Sequence, residues 1–363
     1  MRTVERMTYM QLCRFRHTDK ALLEELLQNG GATPAVLGKL FSERMAGIAA
    51  YVLEESGLVG QASREFRNAL CGHRAYHAAR NKSYKAAVQY LSRLLEKAMG
   101  EYVFLKGAML CDIYPDGCRM SNDVDLLMSP DSISEIGEIL ADNGFLQGDV
   151  RNGVFVPAQR RDILSSRMMR GETVPYIKKV DMPFLTYLEV DLNFSVDAMN
   201  HKKEVTENLL TSRQQGFFCG EMIWTLQDAD FFLHLCAHLH KEAATYPWVA
   251  MKRDMTMYKY ADLYLLLDNM NMGLCGDIAQ RAAELGLAES CIYAVKSTED
   301  LFGESAAGQK LLCDLRRKDM SFMHRVISPA EKKTYQYRER NVVRRFFAND
   351  RARMLSEVGE WKH

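Results

Sequence analysis

The chain has 363 residues, enough for two domains or three small ones, each with its own apolar core. Lysine plus arginine equals aspartate plus glutamate at 47 each, a balance that argues against a basic grip on nucleic acid and towards a small or protein substrate. The nine cysteines are odd in number and form no C-x-x-C pair, which excludes a regular disulfide framework and suits reduced thiols.

No apolar run reaches the length of a membrane span, and the N-terminal stretch lacks a signal-peptide core, so the expectation is a soluble, cytoplasmic protein without a membrane partner. Residues 1–100 read as helices. An apolar stripe over Ala21 to Leu27 stops at Asn29-Gly30-Gly31, and Thr33 caps a segment with Pro34 in its first turn. Ala46 to Leu53 continues as helix to Gly57. Tyr84, Val88, Leu91, Leu94 and Leu95 mark a long amphipathic helix that ends near Gly100.

Tyr102 to Met128, YVFLKGAMLCDIYPDGCRMSNDVDLLM, carries the chemistry. An apolar strand runs into Lys106-Gly107, Ala108 to Ile113 opens a helix, and Asp123-Val124-Asp125 lies in a second apolar strand. Strand alternation puts Asp123 and Asp125 on one face, with Val124 and Leu126 on the other. Two carboxylates held that close repel each other and lose solvation, which a divalent cation cures; oxygen ligands of this kind suit Mg2+ or Mn2+. On these grounds, replacing Asp125 by asparagine is expected to leave stability unchanged or improved.

A helix follows from Ser129-Pro130-Asp131 to Asn143-Gly144. Val154–Val156, Val174–Val180 and Phe184–Phe194 are the remaining strand candidates, with Asp181-Met182-Pro183 turning between the last two. The basic stretch Arg160 to Arg170 has no assigned conformation. In the last strand Glu189, Asp191 and Asn193 share a face. Either one of them completes the acidic cluster, or the face simply meets water. From about residue 204 the pattern is helical, including Asp228 to His240, Met257 to Leu267, and an amphipathic basic helix over Arg338 to Arg353 whose arginines face solvent. His73/His77 and His234/His238 stand four apart, but without a third ligand they read as packing residues.

LKG, then Tyr114-Pro115, Arg119 and Asp123-Val124-Asp125-Leu126-Leu127 resemble the large, mostly uncharacterised bacterial nucleotidyltransferase group of the polymerase-beta-like superfamily. The resemblance covers mainly residues 102–194. It implies an α+β fold in which a small mixed sheet is flanked by helical regions, divided as 1–100, 101–200 and 201–363. It further implies metal-dependent transfer of a nucleoside monophosphate from an NTP to a hydroxyl of a small-molecule or protein acceptor. Asp123 and Asp125 match the metal-binding pair, Asp191 the third acid, Gly107 the phosphate turn, and Lys106 and Arg119 the group's own basic residues. Two departures stand out: Ala108 where the superfamily usually has serine, and Asn193 where relatives carry histidine. They motivate the alternative of a catalytically degenerate fold that binds a nucleotide or a protein.

Overall fold

The structure, a computed structural model, describes residues 1–169, 171–196 and 203–361. The chain forms two units: Met1–His73 with Phe232–His363, and Arg74–Phe231. It opens with helices α1 (Thr3–Leu12), α2 (Lys20–Gln28), α3 (Pro34–Ser42) and α4 (Ala46–Glu55). Local chemistry sets their ends. Asp19 accepts from the Leu22 amide to cap α2, Thr33 accepts from the Val36 amide to cap α3, and Gly30 takes φ +71° just past α2. Helix α5 (Arg64–Leu95) passes from this unit into the next.

The second unit holds a mixed sheet in the order β4-β3-β5-β6-β2-β1-β8-β7. In chain order its elements are β1 (Tyr102–Phe104), α6 (Gly107–Ile113), β2 (Asp123–Met128), α7 (Ile133–Asp142), β3 (Leu146–Arg151), β4 (Val154–Pro157), α8 (Arg160–Met169), β5 (Tyr176–Met182), β6 (Leu185–Asn193), α9 (Lys203–Thr211), β7 (Gln214–Phe218) and β8 (Glu221–Thr225). Strands β2 and β6 pair in parallel, as do β1 and β8, while the other ladders are antiparallel. Tyr84, Ala87, Val88, Leu91 and Leu95 of α5 share a buried core with Phe104, Val124, Leu126, Val190 and Leu192. That core fixes the strand register, because shifting either β2 or β6 by one residue would drive carboxylates into it.

The α+β class and the mixed sheet with helical flanks are as expected, but the units are drawn differently from the ranges 1–100, 101–200 and 201–363. The second half of α5 packs on the sheet, and β7 and β8 extend it beyond residue 200. Four further local expectations change. The β5–β6 turn falls at Pro183-Phe184, because Asp181 and Met182 continue the strand and Met182 pairs with Leu185. Arg160–Met169 is helical; Arg170 lies outside the described residues. The hairpins β3–β4 and β7–β8 stand where no strand, or only part of one, was expected.

The fourth change is in the other unit. It resumes with α10 (Asp228–Ala243), α11 (Tyr246–Ala250), α12 (Met257–Asp268), α13 (Met272–Glu284), α14 (Ala288–Phe302) and α15 (Ala306–Asp314). It ends with β9 (Arg325–Ser328), β10 (Lys333–Tyr337), α16 (Val342–Phe346) and β11 (Leu355–Glu360), the strands forming a separate sheet. The expected tail helix is therefore only five residues long. Two of its supposed solvent-facing arginines are buried: Arg351 binds Asp254 at 2.6 Å and Arg345 stacks over the Tyr337 ring at 4.6 Å. Among the described residues no helix is long and apolar enough to cross a membrane.

Candidate active site

The parallel β2–β6 ladder gathers the acids. Asp123 stands opposite Glu189 and Asp125 opposite Asp191, and paired residues in a parallel ladder point to the same face. Val124, Leu126, Val190 and Leu192 fill the core face, so all four carboxylates project from the other. The sequence alternatives for β6 are thus decided in favour of gathering: Asp191 and Glu189 both join Asp123 and Asp125.

Electrostatics follow from that crowding. Burial raises the Asp191 carboxyl well above its ordinary pKa, and Asp125, Asp123, Glu189 and Glu172 push it the same way. Asp191 Oδ1 is fully buried and has no hydrogen-bond partner among the described residues. Ionising a buried carboxyl whose oxygen has no partner is costly unless something supplies positive charge. Burial also carries Glu189 up to about 7, helped by Asp123, Asp149 and Asp125. Glu172 and Asp149 were not singled out in the sequence. Glu172 arrives through a bridge to Asn193, and Asp149 through β3.

The raised Glu189 pKa has a measurable sign. Between the ordinary carboxylate range and about 7, the folded protein holds a proton at Glu189 that the unfolded chain releases, so this contribution to stability is lost as pH rises. Metal-free protein is expected to melt higher at about pH 5 than at about pH 7.5 on this account, by an upper limit of roughly 3 kcal/mol. Comparing thermal melts of wild type and Glu189→Gln across that range checks it; an unchanged difference between the two proteins would refute the assignment.

Lys106 supplies positive charge at one point. Its Nζ lies 2.9 Å from Asp125 Oδ1, with the two side chains 17% and 9% exposed. Burial alone would lower the lysine pKa, but Asp125, with Asp123 and Asp191, outweighs it and holds the ammonium above its ordinary value. The Lys106 backbone sits at φ +43°, ψ −102°, a conformation that costs a non-glycine residue about 1–3 kcal/mol. Asn193 Nδ2 adds a longer contact to the same Asp125 oxygen at 3.4 Å, and reaches the Leu126 and Asp191 carbonyls at 3.3 Å each.

Gly107 begins α6 directly after this strained residue. A Cβ there would meet Ser121 Oγ at 2.1 Å, Ser121 Cβ at 2.6 Å and Tyr84 Oη at 2.6 Å. Neither neighbour is loose: Ser121 is buried with its carbonyl held by Arg80, and Tyr84 Oη donates to the Asp123 carbonyl at 3.1 Å. Gly107→Ala is therefore expected to destabilise the protein by about 1–3 kcal/mol through overpacking, read as a lower denaturant midpoint with an unchanged slope. The Ala108 and Met109 amides return to the Leu105 and Lys106 carbonyls. Ala108 itself is fully buried in the core beneath the turn, where its methyl serves packing. Arg119 is buried as well, its guanidinium donating to the Met120 carbonyl while its own carbonyl accepts from Asn81 at 2.8 Å.

The acidic face has the donor chemistry of a divalent-cation site, although its ligand atoms do not form a three-residue group within 4.8 Å of one another. Asp123, Asp125 and Asp191 offer hard oxygens from adjacent strands, and the orphaned Asp191 Oδ1 lacks the charge that a cation would bring. A second donor group, Cys111, Asp112 and Cys219, has ligand atoms within 4.8 Å of one another. Both Asp112 oxygens are already engaged there, by Lys85 and by the Cys219 amide, and the contact with Cys111, with burial, pushes the Cys219 thiol far up. It reads as packing between α6 and the β7–β8 turn.

A family model described as an uncharacterised nucleotidyltransferase matches residues 35–303, a span that includes every residue of the acidic face. No curated protein matches the chain.

Proposed function

The chain belongs to this nucleotidyltransferase family, and from that premise we propose that it transfers a nucleoside monophosphate from an NTP to a hydroxyl in a metal-dependent reaction. The observation that carries the reading is the buried, partnerless Asp191 Oδ1 within a face of four carboxylates. Mg2+ or Mn2+ held by Asp123, Asp125 and Asp191 would supply charge neutralisation at the phosphates and acidify the attacking hydroxyl.

The remaining tasks fall to the chain's own groups. Lys106 steadies the triphosphate with an ammonium that can turn on a flexible stem, and Arg119 would bring its planar fork to a phosphate oxygen only by releasing the Met120 carbonyl. Gly107 allows the backbone of the turn to come close to an anion. Glu189, in register with Asp123 at the edge of the acidic cluster, is placed to receive the hydroxyl proton. The new bond joins the acceptor oxygen to the α-phosphorus as the bond to pyrophosphate breaks. The acceptor is a small molecule or a protein hydroxyl.

Incubating the full-length protein with each of the four NTPs, Mg2+ and a panel of hydroxyl acceptors tests this. Pyrophosphate release with a matching mass increase on an acceptor, or on the protein itself, is the expected result. Folded protein that neither binds an NTP nor releases pyrophosphate would overturn it. A second reading is favoured by one observation: Asp125 Oδ1 already receives both Lys106 and Asn193. On that reading the fold is a catalytically degenerate module, and an NTP would raise the melting temperature without any product forming.

A further inference from the structure

Four carboxylates share this face, and the Lys106 ammonium serves them unequally. Its Nζ bonds Asp125 Oδ1, while the register partner across the ladder, Asp191, keeps an oxygen with no partner. The ammonium pairs with one of two neighbouring carboxyl groups. Asp125 and Asp191 sit on adjacent strands, which run about 4.8 Å apart, so one divalent ion is able to take an oxygen from each.

We propose that Lys106 is an exchangeable counter-ion: it neutralises Asp125 in the nucleotide-free protein, gives up that oxygen to an incoming divalent cation, and is then free for the triphosphate. The inference rests on the metal-dependent reading above and adds a competition to it. Three features make the exchange workable. The strained backbone at Lys106 holds the stem beside β2, as does the Leu105 amide, which donates to the Asp125 carbonyl at 3.0 Å. The head group can therefore move while the backbone stays. Asn193 Nδ2 remains near Asp125 Oδ1 when the ammonium leaves. Finally, a doubly charged ion in contact with two carboxylates gains more than one ammonium in contact with one.

The exchange predicts that lysine and metal oppose each other before nucleotide arrives. Mn2+ binding to nucleotide-free, full-length protein is followed through the electron paramagnetic resonance signal of the free ion. Lys106→Met is expected to bind Mn2+ more tightly than wild type, by roughly tenfold for loss of one competing unit charge. Asp191→Asn should lose the same binding event, which places it on this face. Equal or weaker Mn2+ binding by Lys106→Met, with wild-type binding intact and sensitive to Asp191→Asn, overturns the exchange alone. No Mn2+ binding to wild type at this face would instead remove the metal-dependent reading and the exchange with it. Should Lys106→Met fail to fold, Lys106→Gln gives the same readout, since it drops the charge but keeps a donor for Asp125.

Discussion

Asp191→Asn is expected to abolish nucleotide transfer and, in the same protein, to raise thermal stability. The activity loss should be on the order of a thousandfold, equivalent to about 4 kcal/mol of barrier, because on the proposed reading the substitution takes a charged ligand from the cation at the oxygen that has no hydrogen-bond partner among the described residues. The stability gain has the opposite origin. Burial and four neighbouring acids hold the Asp191 carboxyl well above its ordinary pKa, so ionising it in the folded state costs free energy that the unfolded chain does not meet. Asparagine keeps the shape without the charge. In chelator, the melting temperature should rise by roughly 2–4 °C for each kcal/mol recovered, a conversion that holds for units of this size. The gain should grow as pH rises above the ordinary carboxylate range. A loss of stability instead would mean that Asp191 is a structural anchor.

Asp125→Asn should be equally inactive but less stable, by about 1–2 kcal/mol. Asp125 forms the ion pair with Lys106 at 2.9 Å, so its neutralisation leaves a largely buried ammonium with only the more distant carboxylates for company. This corrects the expectation drawn from the sequence, where repulsion from Asp123 was the only force in view. Opposite signs of the stability change at Asp125 and Asp191, measured by chemical denaturation of metal-free protein, would establish how charge is distributed on this face. The same sign at both would contradict the asymmetric role given to Lys106.

How much of this was legible depended on whether the signal was local. Asp123, Asp125, Asp191 and Glu189 could be placed on strand faces because alternation with Val124, Leu126, Val190 and Leu192 is a period-two pattern. The cap at Thr33 and the glycine stop after α2 are likewise local. The β3–β4 hairpin was missed although Asn152-Gly153, with φ +52° and +76°, is the kind of dipeptide that such turns prefer. Cys219-Gly220, with φ +55° and +76°, was a fainter version of the same signal between β7 and β8. The tail misled for another reason. Val342, Val343, Phe346 and Phe347 do repeat at helical spacing, but burial of Arg345 and Arg351 against Tyr337 and Asp254 is tertiary, and it overrides that pattern. The Lys106–Asp125 pair depends on the pairing of β1 with β2, the crowding around Asp191 on that of β2 with β6, and the approach of Glu172 on its bridge to Asn193, and no local window contains these pairings.

The sheet-bearing stretch Arg74–Phe231 is uninterrupted, whereas the helical unit is assembled from pieces on either side of it. During synthesis, every strand of the acidic face has therefore emerged from the ribosome before the second helical piece exists. Tyr9 in the first helix meanwhile awaits Phe346, which it meets at 5.8 Å in the finished molecule. The nascent chain is thus able to complete its acidic face early, while Tyr9 of α1 gains its contact with Phe346 only when translation is almost over.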